Sequence, residues 1–333
     1  MIMLSKYYIT GATGFLGRTV IQKLLEASQE VCALVMSGDT LKDTLPDKAE
    51  IRYGDVCDFY SIKRFLMSAD KDSCVIHCAG IISVATTPGK RLHEVNVGGT
   101  ANVVKACRLY NVGKLIYVSS VHALTEKPKG QIIDAKTNIF DPKRVKGAYA
   151  KSKATATKIV LDAAKEGLNA SVVMPSGIIG PGDAAGGSIT TMLRSYTTGK
   201  LPIAIRGGYD FVDVRDAADG ILSCAEKGKS GESYVLSGHY ATIKDILEIA
   251  GSYMGEKRKV KYLPIPLAKI ISPFYEGDSL RRRIKLLFTP YSVHVLSSNA
   301  AFSRENTENE LGYSPRPLAE TLFDTVKWIN KTP

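Results

Sequence analysis

Tyr7-Tyr-Ile-Thr-Gly11-Ala-Thr-Gly14-Phe-Leu-Gly17 decides how this chain folds. Its first four residues read as a short buried strand. Arg18 to Ala27 then carries a helical period, with Val20, Ile21, Leu24 and Leu25 on the apolar face. Strand, glycine-rich turn and helix follow without a gap. In that order Gly11 permits the tight turn, Gly14 lets a pyrophosphate approach the backbone, and Gly17 lets helix pack on strand. The phosphates would rest on the N–H groups of the helix N-terminus. The spacing is G-x-x-G-x-x-G rather than G-x-G-x-x-G, and three glycines also fit an ordinary turn. The strands downstream have to decide.

They recur in order, each ending in small or polar residues. Val31 to Val35 is the second strand. Glu50 to Tyr53 leads into Gly54-Asp55-Val56, where the aspartate at a strand end can accept a hydrogen bond from an adenine amino group. Cys74 to His77 leads into Cys78-Ala79-Gly80, small residues that let backbone pass close to a flat ligand. Leu115 to Val118 leads into Ser119-Ser120, and Ala170 to Val173 into Met174-Pro175-Ser176-Gly177. Helical patterns lie between them, notably Gly98 to Tyr110 and Tyr149 to Glu166. Strand–helix alternation with continuously apolar strands predicts an α/β fold, a parallel sheet covered on both faces. Ligands of such sheets sit at the carboxyl ends of the strands.

Tyr149-Ala-Lys-Ser-Lys153 opens the second of those helices and puts a phenol and an ammonium on one helix face. A free tyrosine, with a pKa near ~10, is a poor acid–base catalyst at neutral pH. A neighbouring lysine cation favours the phenolate and moves that value toward the working range. The same spacing also occurs on solvated helix faces, so its meaning comes from the strands and the glycine turn upstream.

The ordered set resembles an extended short-chain dehydrogenase/reductase. Thr10 to Gly17 is similar to that family's nucleotide motif, Asp55-Val56 to its adenine contact, and His77-Cys-Ala-Gly80 to its fourth-strand motif. Asn96-Val-Gly-Gly-Thr100 matches its asparagine helix start, Ser119-Ser120 its catalytic-serine strand, and Tyr149 to Lys153 its active-site helix. The match continues through Met174 to Asp183, Phe211 to Asp216, Leu311 to Pro317 and Trp328, so it covers nearly the whole chain. The resemblance implies a Rossmann-type doubly wound sheet with a smaller C-terminal substrate lobe. It implies Tyr149, Lys153 and Ser120 as catalytic residues, the second hydroxyl of the serine pair being the family's choice over Ser119. Gly11, Thr13, Gly14, Phe15, Leu16, Gly17, Asp55, Val56, Ala79, Gly80, Asn96, Ser119, Pro175 and Ile178 would then line an NAD(P) cofactor. Asn96 orders backbone near the nicotinamide or caps its helix. His122 either touches substrate or is a satisfied structural histidine.

Departures from the family narrow the substrate. Val121-His122 stands where dehydratases place an Asp-Glu pair, and Tyr149-Ala-Lys-Ser-Lys153 where epimerases commonly show Y-G-x-S-K. Ser176-Gly177 is similar to the dihydroflavonol 4-reductase and 3β-hydroxysteroid dehydrogenase branch. That branch implies hydride transfer to or from a small-molecule ketone, aldehyde or secondary alcohol. The alternatives are an NAD-dependent nucleotide-sugar epimerase and, from another class, a non-catalytic NAD(P)-binding sensor. The intact serine, tyrosine and lysine argue against the sensor. Cofactor choice rests on the end of the second strand, where acid selects NAD and arginine NADP. Met36-Ser-Gly-Asp39 has neither in place; Arg18, Ser37 or Lys42 would serve a 2′-phosphate and Asp39 the ribose of NAD, and the reading leans to NADP.

Length and charge agree with this class. A chain of 333 residues suits one Rossmann domain, placed at 1–179, with a substrate lobe mainly over 180–333 and segments near 205–220 returning to it. No hydrophobic run approaches the ~20 residues of a membrane span, and no signal-peptide pattern precedes the first strand. Cys32, Cys57, Cys74, Cys78, Cys107 and Cys224 mostly fall at apolar positions. Cys74 and Cys78 lack a second pair for zinc, so no metal site is expected, and reduced thiols suit a cytoplasmic enzyme. The net charge of +11 has one dense focus, Arg281-Arg-Arg283 with Lys285. No nucleic-acid motif accompanies it. A membrane-surface helix is conceivable because Leu267 to Phe274 is apolar, but a lid over the substrate pocket with a solvated basic edge is preferred. The assembly is expected to be a monomer or homodimer.

Overall fold

Period-two alternation divides the first strand between two cores. In the computed structural model, which describes residues 4–87, 89–282 and 288–331, Tyr7 and Ile9 of β1 (Lys6–Thr10) pack on one sheet face with Val20 and Ile21. Tyr8 points to the other face, against Phe65, Leu66 and Val103. Each such fully buried side chain stabilises the fold by about 1.5–3 kcal/mol relative to exposure.

The strands continue as β2 (Glu30–Val35), β3 (Glu50–Tyr53), β4 (Ser73–His77), β5 (Lys114–Val118) and β6 (Ala170–Pro175). Then come β7 (Gly177–Ile179), β8 (Ile203–Ile205), β9 (Gly208–Asp213), β10 (Ser233–Leu236), β11 (His239–Thr242) and β12 (Lys261–Leu263). Seven form one parallel sheet in the order β10-β6-β5-β4-β1-β2-β3. The strand order reverses between β1 and β4, which is where a ligand crevice opens in a doubly wound sheet. Helices α1 (Phe15–Glu26), α2 (Phe59–Phe65), α3 (Arg91–His93), α4 (Thr100–Leu109) and α5 (Ala148–Lys165) belong to the first half of the chain. The second half supplies α6 (Ser188–Thr197), α7 (Val214–Lys227), α8 (Ile243–Met254), α9 (Ile265–Arg282), α10 (Pro290–Ser297), α11 (Glu305–Leu311) and α12 (Leu318–Lys331).

The expected fold class stands, with local differences. The helix read from Gly98 begins earlier, at 91, because a π-helical stretch (Glu94–Gly99) joins α3 to α4. At its junction with α4 the Thr100 hydroxyl donates to the Asn96 carbonyl at 2.7 Å. Ser233 to Leu236 lies at the edge of the main sheet, in register with β6. Over 205–220, β9 belongs to a separate three-stranded sheet, β11-β9-β7, and α7 packs beside α1 on the main sheet. β12 pairs with β8. Of the basic cluster, Arg281 and Arg282 end α9, whereas 283–287 lie outside the described residues.

Candidate active site

The glycine turn is held by close approach. Gly11 has φ +69°, and a Cβ there would lie 2.6 Å from the Ala79 nitrogen. β1 and β4 therefore meet at their carboxyl ends with no room for a side chain. A Cβ on Gly17 would come 2.2 Å from the Gly11 carbonyl oxygen, so α1 rests directly on the turn. Gly14 caps α1 without any side-chain hydrogen bond to its first N–H groups. Phe15 and Leu16 open the helix, Leu16 buried beneath it. Uncapped amides on a bare glycine cradle fit a pyrophosphate.

One strand along, Asn96 organises the end of β4. Its Oδ1 accepts from the Ile81 N–H at 2.7 Å, and its Nδ2 donates to the Ile81 carbonyl at 3.0 Å. Nδ2 also reaches the Ser152 hydroxyl at 3.0 Å, which donates to the Tyr149 carbonyl at 2.7 Å. Asn96 is thus no helix cap; it clamps the loop after Gly80 and ties it to α5. A Cβ on Gly80 would sit 3.3 Å from both Asn96 Oδ1 and Lys153 Nζ, so a side chain there would crowd the ammonium.

Tyr149 and Lys153 lie on the buried face of α5. Lys153 Nζ donates to the Val118 carbonyl at 2.9 Å, above the Tyr117 ring. Burial pulls its pKa down to about 8. Burial also pushes the Tyr149 phenol up to about 12, opposed by a hydrogen bond with the Ser120 hydroxyl. The lowering by Lys153 anticipated from the spacing is therefore not what dominates here: burial does, and the ammonium is directed at β5. The serines face opposite ways. Ser119 Oγ pairs with Thr157 Oγ1 at 2.6 Å beneath α5, whereas Ser120 turns to Tyr149.

The ends of β2 and β3 show two contacts that motif spacing did not reveal. Burial opposes ionisation of Asp55, but the Cys57 N–H at 2.9 Å and Arg91 at 2.6 Å outweigh it and hold the carboxyl below its usual range. The neighbouring Val56 is buried. Asp39, four residues beyond β2, folds back so that its Oδ2 accepts from the Thr13 hydroxyl at 2.7 Å and its Oδ1 from the Leu41 N–H at 2.9 Å. An open cleft of about 470 Å³ lies beside it, lined by Ser37, Gly38, Thr40, Lys42 and Tyr53. Arg18 is engaged by the Gly182 carbonyl and the Thr44 hydroxyl.

His122 is boxed in by tyrosines. Its Nδ1 faces the Tyr291 hydroxyl at 3.3 Å and its Nε2 the Tyr209 hydroxyl at 3.4 Å. The ring stacks on Tyr209 and meets Tyr149 edge-on. Burial depresses its pKa to about 4, so it is neutral near pH 7. Tyr209 and Tyr291 come from β9 and α10, far along the chain, and Gly147 is a local sign of Tyr291 alone. With φ +88° it sits under the Tyr291 ring, where a Cβ would clash at 2.3 Å. Pro175 ends β6 and Ile178 lies in β7, on the segment leading from the main sheet into the small one.

The sequence profile described as "NAD dependent epimerase/dehydratase family" matches residues 7–237. The sterol demethylase protein B of Methylococcus capsulatus is 27% identical over 328 residues, spanning 97% of this chain and 98% of its own. The decarboxylating sterol-4-alpha-carboxylate 3-dehydrogenase of Schizosaccharomyces pombe is 26% identical over 333 residues, spanning 96% of each. The crystal structure of gox2253 superposes with a TM-score of 0.84 at 27% identity, over 98% of each chain.

Proposed function

The chain belongs to the NAD dependent epimerase/dehydratase family, and we propose that within it the protein is an NAD(P)-dependent oxidoreductase interconverting a ketone or aldehyde with an alcohol. The observation that carries this reading is the meeting of Ser120 with the Tyr149 phenol, one helical turn from the buried Lys153 ammonium that lies against Gly80. The names of the two sterol-pathway relatives support an apolar carbonyl or alcohol as substrate.

A bound nicotinamide supplies or accepts the hydride at the substrate carbon. In reduction Tyr149 gives the proton on its Oη to the substrate oxygen, and in oxidation it takes that proton back. A phenol held near pKa 12 is protonated at neutral pH, which suits the acid role. Ser120 donates a hydrogen bond to the same oxygen, where negative charge develops. Lys153 holds the cofactor ribose and adds positive charge near the phenol. The uncapped start of α1 carries the pyrophosphate, and Asp55-Val56, Ala79, Pro175 and Ile178 border the remainder.

Asp39 tied to Thr13 places a carboxylate where a 2′-phosphate would be repelled, and Arg18 is engaged elsewhere. This favours the ribose hydroxyls of NAD over the NADP to which the sequence leans. The nucleotide domain is taken as 1–179 and the substrate lobe as mainly 180–333, because Tyr209 and Tyr291 come from the latter to pack on His122, which in turn meets Tyr149. The test is fluorescence titration with NADH and NADPH, followed by reduced-cofactor oxidation over a panel of apolar ketones and aldehydes. Cofactor binding with turnover of a carbonyl supports the reading. Tightly held NAD with sugar interconversion and no net oxidation would replace it with an epimerase.

A further inference from the structure

Helix α9 is built inside out. Its inward positions are small or polar: Ala268, Ser272, Glu276 and Ser279 are all buried. Its outward positions are large and apolar, with Leu267, Ile270, Ile271 and Phe274 at i, i+3, i+4 and i+7. Phe274 is 77% exposed and Ile270 65%, so both protrude into solvent. A lid closing over a pocket would turn these side chains inward.

The arrangement is fixed by specific bonds. Glu276 accepts from the Thr86 N–H and hydroxyl, each at 2.7 Å, which locks the polar face onto the loop that starts at Gly80. Pro273 has no N–H to offer the Lys269 carbonyl, and the Ser272 hydroxyl donates to it instead, at 3.4 Å. Ile82, on the same loop, is also exposed.

The flanks of this apolar face are mainly basic: Lys269 and Arg281 are exposed on α9 itself, with the acid Asp278 between them, and Lys257, Lys259 and Lys261 are exposed, beside Glu256, on the approach to it. We propose that this face docks on an anionic lipid bilayer, with Ile270 and Phe274 entering the acyl boundary and the basic flanks meeting headgroups. Protruding apolar side chains with a cationic rim match such a surface, and each lysine or arginine near it strengthens partition by roughly fivefold. A second copy fits less well, because its equally cationic flanks would face these. Among the described residues no helix is long and apolar enough to cross a membrane, so the contact is peripheral. Docking there turns the loop after Gly80 toward the lipid, the source of an apolar substrate if the proposed function holds. The docking itself assumes nothing about the reaction.

The test is cosedimentation of the full chain with vesicles of phosphatidylcholine, with and without phosphatidylglycerol. The protein is expected to sediment with the anionic vesicles and to stay in solution with the zwitterionic ones. The double variant Ile270→Glu/Phe274→Glu should lose about tenfold or more of that partition while its thermal melting is unchanged. Equal sedimentation of the variant would mean charge alone attracts the protein and would overturn the proposal. Absence of sedimentation would also overturn it. If light scattering then showed the variant reduced from dimer to monomer, the face would belong to a second copy.

Discussion

Asn96 grips the Ile81 peptide from both sides, accepting from its N–H at 2.7 Å and donating to its carbonyl at 3.0 Å. The side chain is buried, and it sets the path of the strand-end loop that borders Lys153. Asn96→Ala leaves two backbone groups unpaired, and urea unfolding should show a loss of about 2–4 kcal/mol. Asn96→Asp keeps the acceptor and should recover part of it. A loss below about 0.5 kcal/mol for Asn96→Ala would mean the loop is held by something else.

Ser119 and Ser120 are adjacent yet should behave differently. Ser120→Ala removes the hydroxyl that meets Tyr149, and kcat should fall about 10²–10³-fold with little change in melting. Ser119→Ala breaks the buried bond to Thr157 and should cost about 1 kcal/mol of stability with kcat close to wild type. The reverse pattern would exchange the two roles.

Lys153 links the site to stability. Its folded pKa is about 8 against an ordinary 10.5. Between those values the unfolded chain binds the extra proton, so this residue makes stability rise with pH from about 8 to 10. Buried cysteines with raised values push the other way above pH 9, so the comparison with Lys153→Met is what isolates it. The wild type should gain roughly 2 kcal/mol on the variant across that window. A flat difference would show that the ammonium is not desolvated.

Asp39 should control cofactor choice. Asp39→Ser removes the carboxylate beside Thr13 and should shift the ratio of NADPH to NADH affinity upward by about tenfold, on the order of 1.4 kcal/mol. Fluorescence titration reads this without any substrate. An unchanged ratio would leave Lys42 and Ser37 as the deciding residues.

Much of this was legible in the sequence because it is local. The glycine turn, the apolar strands and the Tyr149–Lys153 spacing each occupy a few consecutive residues whose period or geometry fixes their structure. Asp55 could be placed at a strand end, but its pairing with Arg91 depends on a loop path that no pattern reports. Asp39 was visible only as an acid out of place, since the chain must turn back at Gly38, φ +80°, to bring it to Thr13. Tyr209 and Tyr291 lie 87 and 169 residues from His122, so no local pattern reports that they meet it. Spacing shows the lysine beside Tyr149 and not the burial that pushes the phenol's pKa up.

The most direct measurement is the first-turnover rate of nicotinamide oxidation, read by absorbance, for wild type and Tyr149→Phe saturated with reduced cofactor and a ketone that the wild type turns over. Loss of the phenolic proton should slow the step about 10²–10⁴-fold with cofactor affinity and melting temperature unchanged. An equal rate in the variant would contradict the assignment of Tyr149 as the acid.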